Sequence, residues 1–263
     1  MNINFKPLNI DTDKKIFFLS DFHLGAPTAA ASLQREKKIV QFLESIRHQT
    51  AQLFIVGDMF DFWFEYKTVV PKGYVRLLGK LAEFSDYGIP IHFFVGNHDM
   101  WVRDYFEKEL GFIIYFEPAY FEFNNKKFLV GHGDGQGPGD RKYKFLKKIF
   151  RSPLCQWAFG TVPPAIGMGI ANYFSHKSRK VASQKGEEVF LGEENEWLII
   201  YSKQILQHTP VDYFIFGHRH LPINFKLPGN SQYINLGEWI NFNSYAVFDG
   251  THITLQYYEP WKY

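Results

Sequence analysis

The stretch LFIVGDMFD, residues 53–61, joins a fully apolar run to a turn that carries two aspartates. The same arrangement occurs before it, at residues 16–23 (IFFLSDFH), and after it, at residues 91–99 (IHFFVGNHD). Each run is followed by a helical pattern, at residues 31–48, 74–87 and 101–110. Fully apolar strands that alternate with helices are typical of a parallel sheet covered on both faces. The first half of the chain therefore predicts βαβ units and an α/β fold.

The second half of the chain predicts a second sheet. Asn124-Asn125 suits a tight hairpin turn between strands at residues 120–123 and 127–130. Further strands are expected at residues 213–216, 233–236, 245–248 and 253–257. Residues 141–207 read as helical, with breaks at its prolines and at Gly167. The most economical organisation is a two-sheet α/β domain at residues 1–139 and 196–263, interrupted by a helical insertion at residues 140–195.

The composition excludes several classes of protein. A chain of 263 residues, of which 46 % are hydrophobic, can bury a large core. Its one cysteine, Cys155, excludes an intramolecular disulfide framework and a cysteine-clustered metal site, and fits a reducing, cytoplasmic compartment. The first fifteen residues contain no continuous apolar stretch, so we expect neither a secretory signal nor an anchor there. Neither G-x-G-x-x-G nor G-x-x-x-x-G-K-[ST] occurs, which excludes the common nucleotide-binding loops.

The charges of the chain are segregated. Residues 141–185 contain ten of the 29 Lys and Arg residues and none of the 27 Asp and Glu residues. Such a segment either forms solvated helix faces or contacts phosphates of a substrate or a membrane. Within it, the apolar residues 153–174 are interrupted by two prolines and three glycines, so a spanning helix is rejected. An apolar lid or interfacial element is expected there, with a pair of ordinary packed helices as the alternative.

Five apolar runs end in motifs that carry Asp, Asn or His. The motifs are D-x-H (21–23), G-D-x-x-D (57–61), G-N-H-D (96–99), G-H-G-D (131–134) and G-H-R-H (217–220). In an open α/β sheet the carboxyl ends of the strands converge on one crevice, so these side chains are expected to meet. The candidate metal ligands are Asp21, His23, Asp58, Asn97, His132, His218 and His220.

This ligand set predicts two divalent metal ions. Hard oxygens and imidazoles without a thiolate suit manganese, iron or zinc. Asp58, in the middle motif, is the simplest bridge between two ions, and ions about 3.5–4 Å apart would lower the pKa of a shared water and clamp a phosphoryl oxygen. The adjacent glycines are expected to let the backbone turn sharply at the sheet edge: Gly57, Gly96, Gly131 and Gly217.

Together, the five motifs resemble the signature of the calcineurin-like metallophosphoesterases over residues 15–140 and 205–250. The resemblance implies an α/β fold, a two-sheet αββα metallophosphoesterase sandwich with a helical cap insertion, and two divalent ions, with manganese expected and iron or zinc as alternatives. It assigns one ion to Asp21, His23, Asp58 and His220, and the other to Asp58, Asn97, His132 and His218. It also makes His98 the histidine that contacts the phosphate or protonates the leaving group, with Asp99 orienting it. Asp61 would fix a histidine ligand.

The insertion carries a narrower resemblance. Asp140 and the motif SRKVASQK at residues 178–185 resemble the UDP-2,3-diacylglucosamine hydrolases of lipid A synthesis, which split a lipid-linked UDP-sugar into UMP and 2,3-diacylglucosamine 1-phosphate. That resemblance implies a cytoplasmic enzyme, peripheral on the inner face of the cytoplasmic membrane, with no nucleic-acid partner. The substrate-binding residues that it implies are Asn97, His98, Asp140, Ser178, Lys185 and His218. The chain departs from well-known members at His98, Ala182 and Arg219, where those have Arg, Asn and Thr.

Three other functions are alternatives to this interpretation. A metallophosphodiesterase that acts on small or cyclic nucleotides would use the same metal ligands and is the closer alternative. A nuclease would also use the metals, but the cations flank a proline-broken apolar segment rather than a groove of regularly spaced aromatics. A metal-free binding scaffold would need at least one ligand replaced, and all seven are present.

Overall fold

The computed structural model describes residues 5–8, 13–138, 141–170 and 189–259, without the side chains of residues 141 and 142. The described strands are β1 (Lys6–Pro7), β2 (Lys15–Leu19), β3 (Thr50–Val56), β4 (Ile91–Phe94), β5 (Ile113–Tyr115), β6 (Ala119–Phe123), β7 (Lys126–Gly131), β8 (Tyr213–Phe216), β9 (Pro222–Lys226), β10 (Gln232–Leu236), β11 (Ser244–Phe248) and β12 (Ile253–Tyr257). The helices are α1 (Ala29–Ile46), α2 (Val75–Asp86), α3 (Tyr105–Leu110), α4 (Arg141–Phe150), α5 (Pro153–Gly160), α6 (described over 164–170) and α7 (Trp197–Leu206). No described helix has the length and hydropathy needed to cross a membrane.

The strands form two six-stranded sheets. One sheet has the order β12-β11-β2-β3-β4-β5, and the other has the order β1-β6-β7-β8-β10-β9. Strands β2 to β5 are parallel, as are β7, β8 and β10, whereas β6 pairs with β7 as an antiparallel hairpin. Helices α4 to α6 follow β7, and α7 leads into β8. The predicted two-sheet α/β architecture is confirmed.

A layer of phenylalanine rings lies between the two sheets. Phe18 and Phe54 come from one sheet and Phe121 and Phe128 from the other, and all four are fully buried. Phe18 lies 4.9 Å from Phe54 and 6.1 Å from Phe128, measured between ring centroids. Successive side chains of a strand point to opposite faces, so Phe17 packs instead against Phe42 of α1. The high aromatic content is therefore used in the core of the sandwich.

Helices cover the outer face of each sheet. Helices α1, α2 and α3 bury their apolar side chains against β2, β3 and β4. On the other sheet, Leu198 and Ile199 of α7 pack against β7 and β8. This gives four layers, helix–sheet–sheet–helix, and confirms the predicted αββα sandwich. Because both sheets are covered, the ends of the strands are the places where polar side chains can gather.

Most predicted elements are present, and the differences are local. The hairpin turn has positive φ at both Asn124 (47°) and Asn125 (62°), which is the geometry of the tight turn that the sequence predicts. The helix predicted from residue 101 begins only at Tyr105, because Trp101 pairs with Phe64 in a bridge. Residues 189–196, predicted to be helical, form turns instead. Strands β1, β5 and β9 were not predicted.

Candidate metal centre

All seven predicted ligands lie at one edge of the sandwich. Asp21 and His23 follow β2, Asp58 follows β3, and Asn97 follows β4. His132 follows β7 of the second sheet, and His218 and His220 follow β8. These are the carboxyl ends of parallel strands in two facing sheets, so the loops meet over the phenylalanine layer. The sequence prediction that the motifs share one site is confirmed.

The backbone of this edge is unusual. Five non-glycine residues adopt left-handed φ values, which cost roughly 1–2 kcal/mol each for residues with a Cβ atom. These residues and their φ values are Asp21 (54°), His23 (44°), Asp58 (51°), His218 (65°) and His220 (58°). Such conformations persist where the surrounding structure dictates the direction of a side chain, and they cluster at functional sites. All five are predicted ligands.

The first ligand set comprises Asp21, His23, Asp58 and His220. His23 Nε2 lies 3.6 Å from Asp21 Oδ1 and 3.8 Å from Asp58 Oδ2. His220 Nε2 lies 3.2 Å from Asp21 Oδ1 and 3.1 Å from His23 Nε2. One ligand atom from each of the four residues lies within 4.8 Å of all the others. The four side chains therefore surround one point, as the ligands of a metal ion do.

The second ligand set comprises Asp58, Asn97, His132 and His218. His132 Nε2 lies 3.3 Å from Asp58 Oδ2 and 3.1 Å from Asn97 Oδ1. Ligand atoms of Asp58, His132 and His218 lie within 4.8 Å of one another. Asp58 thus belongs to both sets, in agreement with the bridge that the sequence predicts.

The carboxylates of Asp21 and Asp58 each have one oxygen that accepts hydrogen bonds and one oxygen that accepts none from the described residues. The His218 N–H donates to Asp21 Oδ2 at 3.0 Å, and Ser20 Oγ donates to the same oxygen. The His98 N–H donates to Asp58 Oδ1 at 2.8 Å. Asp21 Oδ1 and Asp58 Oδ2 are buried and accept no hydrogen bond from the described residues. A buried oxygen without a donor is unfavourable, so these donor sets fit divalent cations.

The protonation states of the site also suit a cation. Burial would raise the pKa of Asp21, but the adjacent imidazoles of His220 and His23 outweigh it and hold that pKa below its ordinary value. Burial lowers the pKa of His23 to about 4, and burial together with the charge of His132 does the same for His218. Burial opposes the charge on His132, but Asp58 raises its pKa well above the usual value. The two carboxylates are thus ionised and His23 and His218 are neutral at pH 7, which are the forms that ligate metals, whereas His132 carries a proton that a bound cation would displace.

Several groups outside the ligand sets fix their orientation. His132 Nδ1 lies 2.8 Å from the Val56 carbonyl oxygen, so Nδ1 carries the proton and Nε2 is left to face Asp58. Arg35 Nη2 donates to the carbonyl oxygens of His23 at 2.6 Å and Ala26 at 2.5 Å. Asn235 Nδ2 donates to the Gly217 carbonyl oxygen at 2.5 Å. Sequence reasoning missed Arg35 and Asn235, because no motif contains either residue and their contacts are with backbone carbonyl oxygens.

The glycines of the motifs act mainly by permitting close approach. Gly57 has a φ of 86°, so the predicted sharp turn is present there. Gly96, Gly131 and Gly217 have no positive φ value, so they do not use the left-handed conformation. A Cβ atom at Gly96 would collide with Asp58, and one at Gly217 would collide with Ser20 and Asp21. These glycines leave room for the central carboxylates.

His98 has a different neighbour from the one predicted. Its Nδ1 lies 2.8 Å from the Asp61 carbonyl oxygen and 3.9 Å from Asp61 Oδ1, which is also 3.9 Å from His23 Nδ1. Asp99 accepts backbone N–H bonds from Gly96 at 2.7 Å and Met59 at 2.8 Å. The expectation that Asp99 orients His98 is therefore wrong, because both Asp99 oxygens tie the loop after β4 to the loop after β3. Asp61 takes the orienting position.

Asp134, the last residue of the fourth motif, links the site to the inserted helices. Its Oδ2 accepts a hydrogen bond from the Tyr143 hydroxyl at 2.8 Å and forms an ion pair with Lys147 Nζ at 2.6 Å, and both partners belong to α4. Sequence reasoning did not assign it a role, although the motif contained it. The predicted substrate residues Asp140, Ser178 and Lys185, and the departure at Ala182, lie outside the described residues.

Known proteins are similar in sequence to most of this chain. Residues 14–222 match the family model described as calcineurin-like phosphoesterase. A UDP-2,3-diacylglucosamine hydrolase of Porphyromonas gingivalis is 41 % identical over 253 residues, covering 92 % of this chain and 97 % of that protein. One from Histophilus somni is 29 % identical over 231 residues, covering 86 % and 92 %. Among solved structures, the E. coli phosphoesterase Yfce has 16 % identity and a TM-score of 0.44, covering 91 % of each chain.

Proposed function

This chain belongs to the calcineurin-like phosphoesterase family and is a metal-dependent hydrolase, and from that membership we propose that it hydrolyses the pyrophosphate of UDP-2,3-diacylglucosamine in lipid A synthesis. The products are UMP and 2,3-diacylglucosamine 1-phosphate. The observation that carries the proposal is the position of Asp58 in two ligand sets at once. The match to a relative named for this substrate covers 92 % of the chain. The unmatched part is shorter than residues 140–195, so the match includes at least part of the predicted insertion.

The two ligand sets are proposed to hold two divalent ions, manganese in the first place and iron or zinc as alternatives. Asp21, His23, Asp58 and His220 would hold one ion, and Asp58, Asn97, His132 and His218 the other. When bound, such ions would stabilise the negative charge on the phosphoryl oxygens and lower the pKa of an attacking water. The protein contributes ionised carboxylates with one oxygen already fixed, so little reorganisation is needed on binding.

His98 is proposed to contact the phosphate. A carbonyl oxygen only accepts hydrogen bonds, so the contact with Asp61 places a proton on His98 Nδ1. Nε2 is then the atom that meets the substrate, and it donates to a phosphoryl oxygen or protonates the leaving group when the ring is cationic. His98 is 14 % exposed, whereas His23 and His132 are 1 % exposed. Of these three histidines it is the one open to a ligand.

Residues 140–195 are proposed to form a helical cap. This cap would hold the acyl chains and rest on the inner face of the cytoplasmic membrane. Phe145, Leu154 and Trp157 are each about two-thirds exposed or more. Buried methylene groups contribute about 0.8 kcal/mol each, so an exposed apolar surface suits a diacylated substrate. Lys148 and Arg151 belong to the basic segment around them, and Asp140, Ser178 and Lys185 would contact the sugar phosphate.

The described part of this cap is fixed on the loop that carries His98. Trp101, three residues after His98, donates from Nε1 to the Phe150 carbonyl oxygen at 2.7 Å. The Phe159 ring of α5 lies 4.6 Å from Trp101 and 4.8 Å from Phe64. An acyl chain that contacts α5 would therefore lie near the loop that carries His98, the residue proposed to contact the phosphate.

Hydrolysis assays test the proposal directly. UDP-2,3-diacylglucosamine is incubated with the protein and Mn²⁺, beside bis-p-nitrophenyl phosphate and cyclic nucleotides, with a chelated sample as the control. We expect rapid release of UMP from the lipid-linked substrate, slow hydrolysis of the small phosphodiester, and no reaction after chelation. Preferential hydrolysis of cyclic or small nucleotides would overturn the substrate assignment in favour of a small-nucleotide phosphodiesterase.

A further inference from the structure

Arg219 lies in the chain between two ligands, His218 and His220, and its side chain reaches away from them. Arg219 Nε donates to Glu196 Oε2 at 3.0 Å, and Nη2 donates to Glu196 Oε1 at 3.2 Å. Nη2 also donates to the Val189 carbonyl oxygen at 2.7 Å. The Glu196 side chain is 4 % exposed, so this two-pronged ion pair is largely shielded from solvent and geometrically specific.

At one end, this ion pair holds a strained loop. The Arg219 N–H donates to the Gly217 carbonyl oxygen at 2.7 Å, and the residues on both sides of Arg219 have left-handed φ values. A change in the Arg219 backbone would rotate its two neighbours, and each neighbour belongs to a different ligand set. Fixing the Arg219 side chain therefore limits the positions that both imidazoles can take.

At the other end, the ion pair holds the segment that returns from the insertion. Residues 189–196 form turns and lead into α7. Glu196 Oε1 accepts the Leu191 N–H at 3.1 Å, and the Glu196 N–H donates to the Gly192 carbonyl oxygen at 3.1 Å. The segment is thus folded around Glu196, and Arg219 attaches it to the loop of the candidate metal centre.

We propose that Arg219 is a positioning residue that couples cation binding at His218 and His220 to the ordering of residues 189–196. The inference rests on the metal centre of the proposed function. Coupling between two sites is reciprocal. A bound cation would therefore order residues 189–196, and a ligand that binds the insertion would raise the affinity of the site for the cation. Arg219 would then join recognition by the insertion to assembly of the metal centre.

The test uses hydrogen exchange and calorimetry with Mn²⁺ alone. Removal of Arg219 by itself would leave a buried charge on Glu196, so the variant is the pair Arg219→Met and Glu196→Gln. The matched control is Glu193→Gln, a change in the same segment that removes the ion pair of Glu193 with Lys203 of α7 (2.6 Å), the contact described for that carboxylate. Arg219→Lys, which keeps the charge but not the two-pronged geometry, is the conservative variant.

We expect Mn²⁺ to slow exchange at the amides of residues 189–196 about tenfold in the wild type and in Glu193→Gln, and less than about twofold in the double variant. Mn²⁺ affinity should fall about tenfold in the double variant, a typical effect of changes outside the ligand shell, and about threefold in Arg219→Lys. If the double variant does not fold, Arg219→Lys decides by the same comparison. Equal slowing and equal affinity in the folded variants would overturn the coupling. A wild type that binds no Mn²⁺ would overturn the proposed function as well.

Discussion

The backbone N–H of His98 donates to Asp58 Oδ1 at 2.8 Å. The carboxylate shared by the two ligand sets is therefore held by the residue proposed to contact the phosphate. Asp58 Oδ2, the other oxygen, faces His132. The geometry of the ligand sets and the position of the phosphate contact are linked through one hydrogen bond.

Asp58→Asn should bind Mn²⁺ poorly and lose at least about 100-fold in activity, because the neutral amide cannot bridge two cations. Near-ultraviolet circular dichroism should show an intact fold, since the side-chain volume is kept. Metal content by elemental analysis and the rate of hydrolysis are measured together. Asp104→Asn is the control, because Asp104 is an exposed carboxylate paired only with Lys108 among the contacts described for it. Near-normal activity of Asp58→Asn would refute the bridge.

His98→Gln should lower the rate about 100-fold while both ions stay bound, because the proposed role of the ring is proton donation rather than ligation. His98→Arg should keep much of the activity, since a guanidinium also donates to phosphoryl oxygens. Rates are compared with metal content measured on the same samples. Loss of one ion in His98→Gln would place His98 among the ligands.

Leu154→Ser with Trp157→Ser should raise the KM for UDP-2,3-diacylglucosamine in vesicles about tenfold and leave hydrolysis of bis-p-nitrophenyl phosphate unchanged. Both side chains are mostly exposed, so little folding stability is lost, whereas apolar contact with lipid is removed. The control replaces Val69 and Val75, exposed apolar residues before and within α2, with Ser. Equal effects on both substrates would show that the apolar surface has no role in recognising lipid.

Acidification should destabilise the protein through His92. The ring is buried between the sheets, stacked 4.2 Å from Phe54, and contacts Gln52 at 2.8 Å and Tyr115 at 3.1 Å. Burial, together with the charge of Lys6, lowers the pKa of His92 to about 3, from 6.5 in the unfolded chain. The unfolded state binds the proton first, so the stabilisation is complete above about pH 6.5 and falls toward pH 3 by about 1.4 kcal/mol per unit.

Urea unfolding between pH 4 and 7 measures this effect as the slope of unfolding free energy against pH. His92→Leu should be less stable at pH 7, because it loses both hydrogen bonds, but its slope should be smaller than that of the wild type. His48→Leu, at an exposed histidine of a 3₁₀ turn, is the control. Identical slopes in wild type and His92→Leu would contradict the assignment.

The sequence could predict the ligand sets because each motif follows an apolar run, and the carboxyl ends of parallel strands meet. The same reasoning could not find Arg35, Asn235 or Glu196, whose contacts depend on which distant elements become neighbours. It also could not distinguish Asp61 from Asp99 as the neighbour of His98, since both follow strands and both are acidic. The Asp99 carboxylate faces backbone N–H groups, whereas Asp61 contacts His98 through its backbone carbonyl oxygen.

The strands that were not predicted lie at sheet edges. β1 and β5 have two and three residues, and β9 has a burial pattern in which one residue of five is buried. Short, half-covered strands lack the apolar run that identifies a buried strand. The left-handed φ values of Asp21 and His218 are likewise absent from any local pattern, because Asp and His adopt them only when long-range contacts require it.

Each ligand set draws on both sheets, and this has a consequence for the order in which the protein is made. His220 completes the first set and His218 the second, and both follow β8, in the last quarter of the chain. A nascent chain that has emerged only as far as α7 holds Asp21, His23, Asp58 and His132 but no complete set. Both sets lack a member until the loop after β8 has been synthesised. Ribosome-bound chains should therefore bind metal poorly until that loop has emerged, and then acquire both sites together.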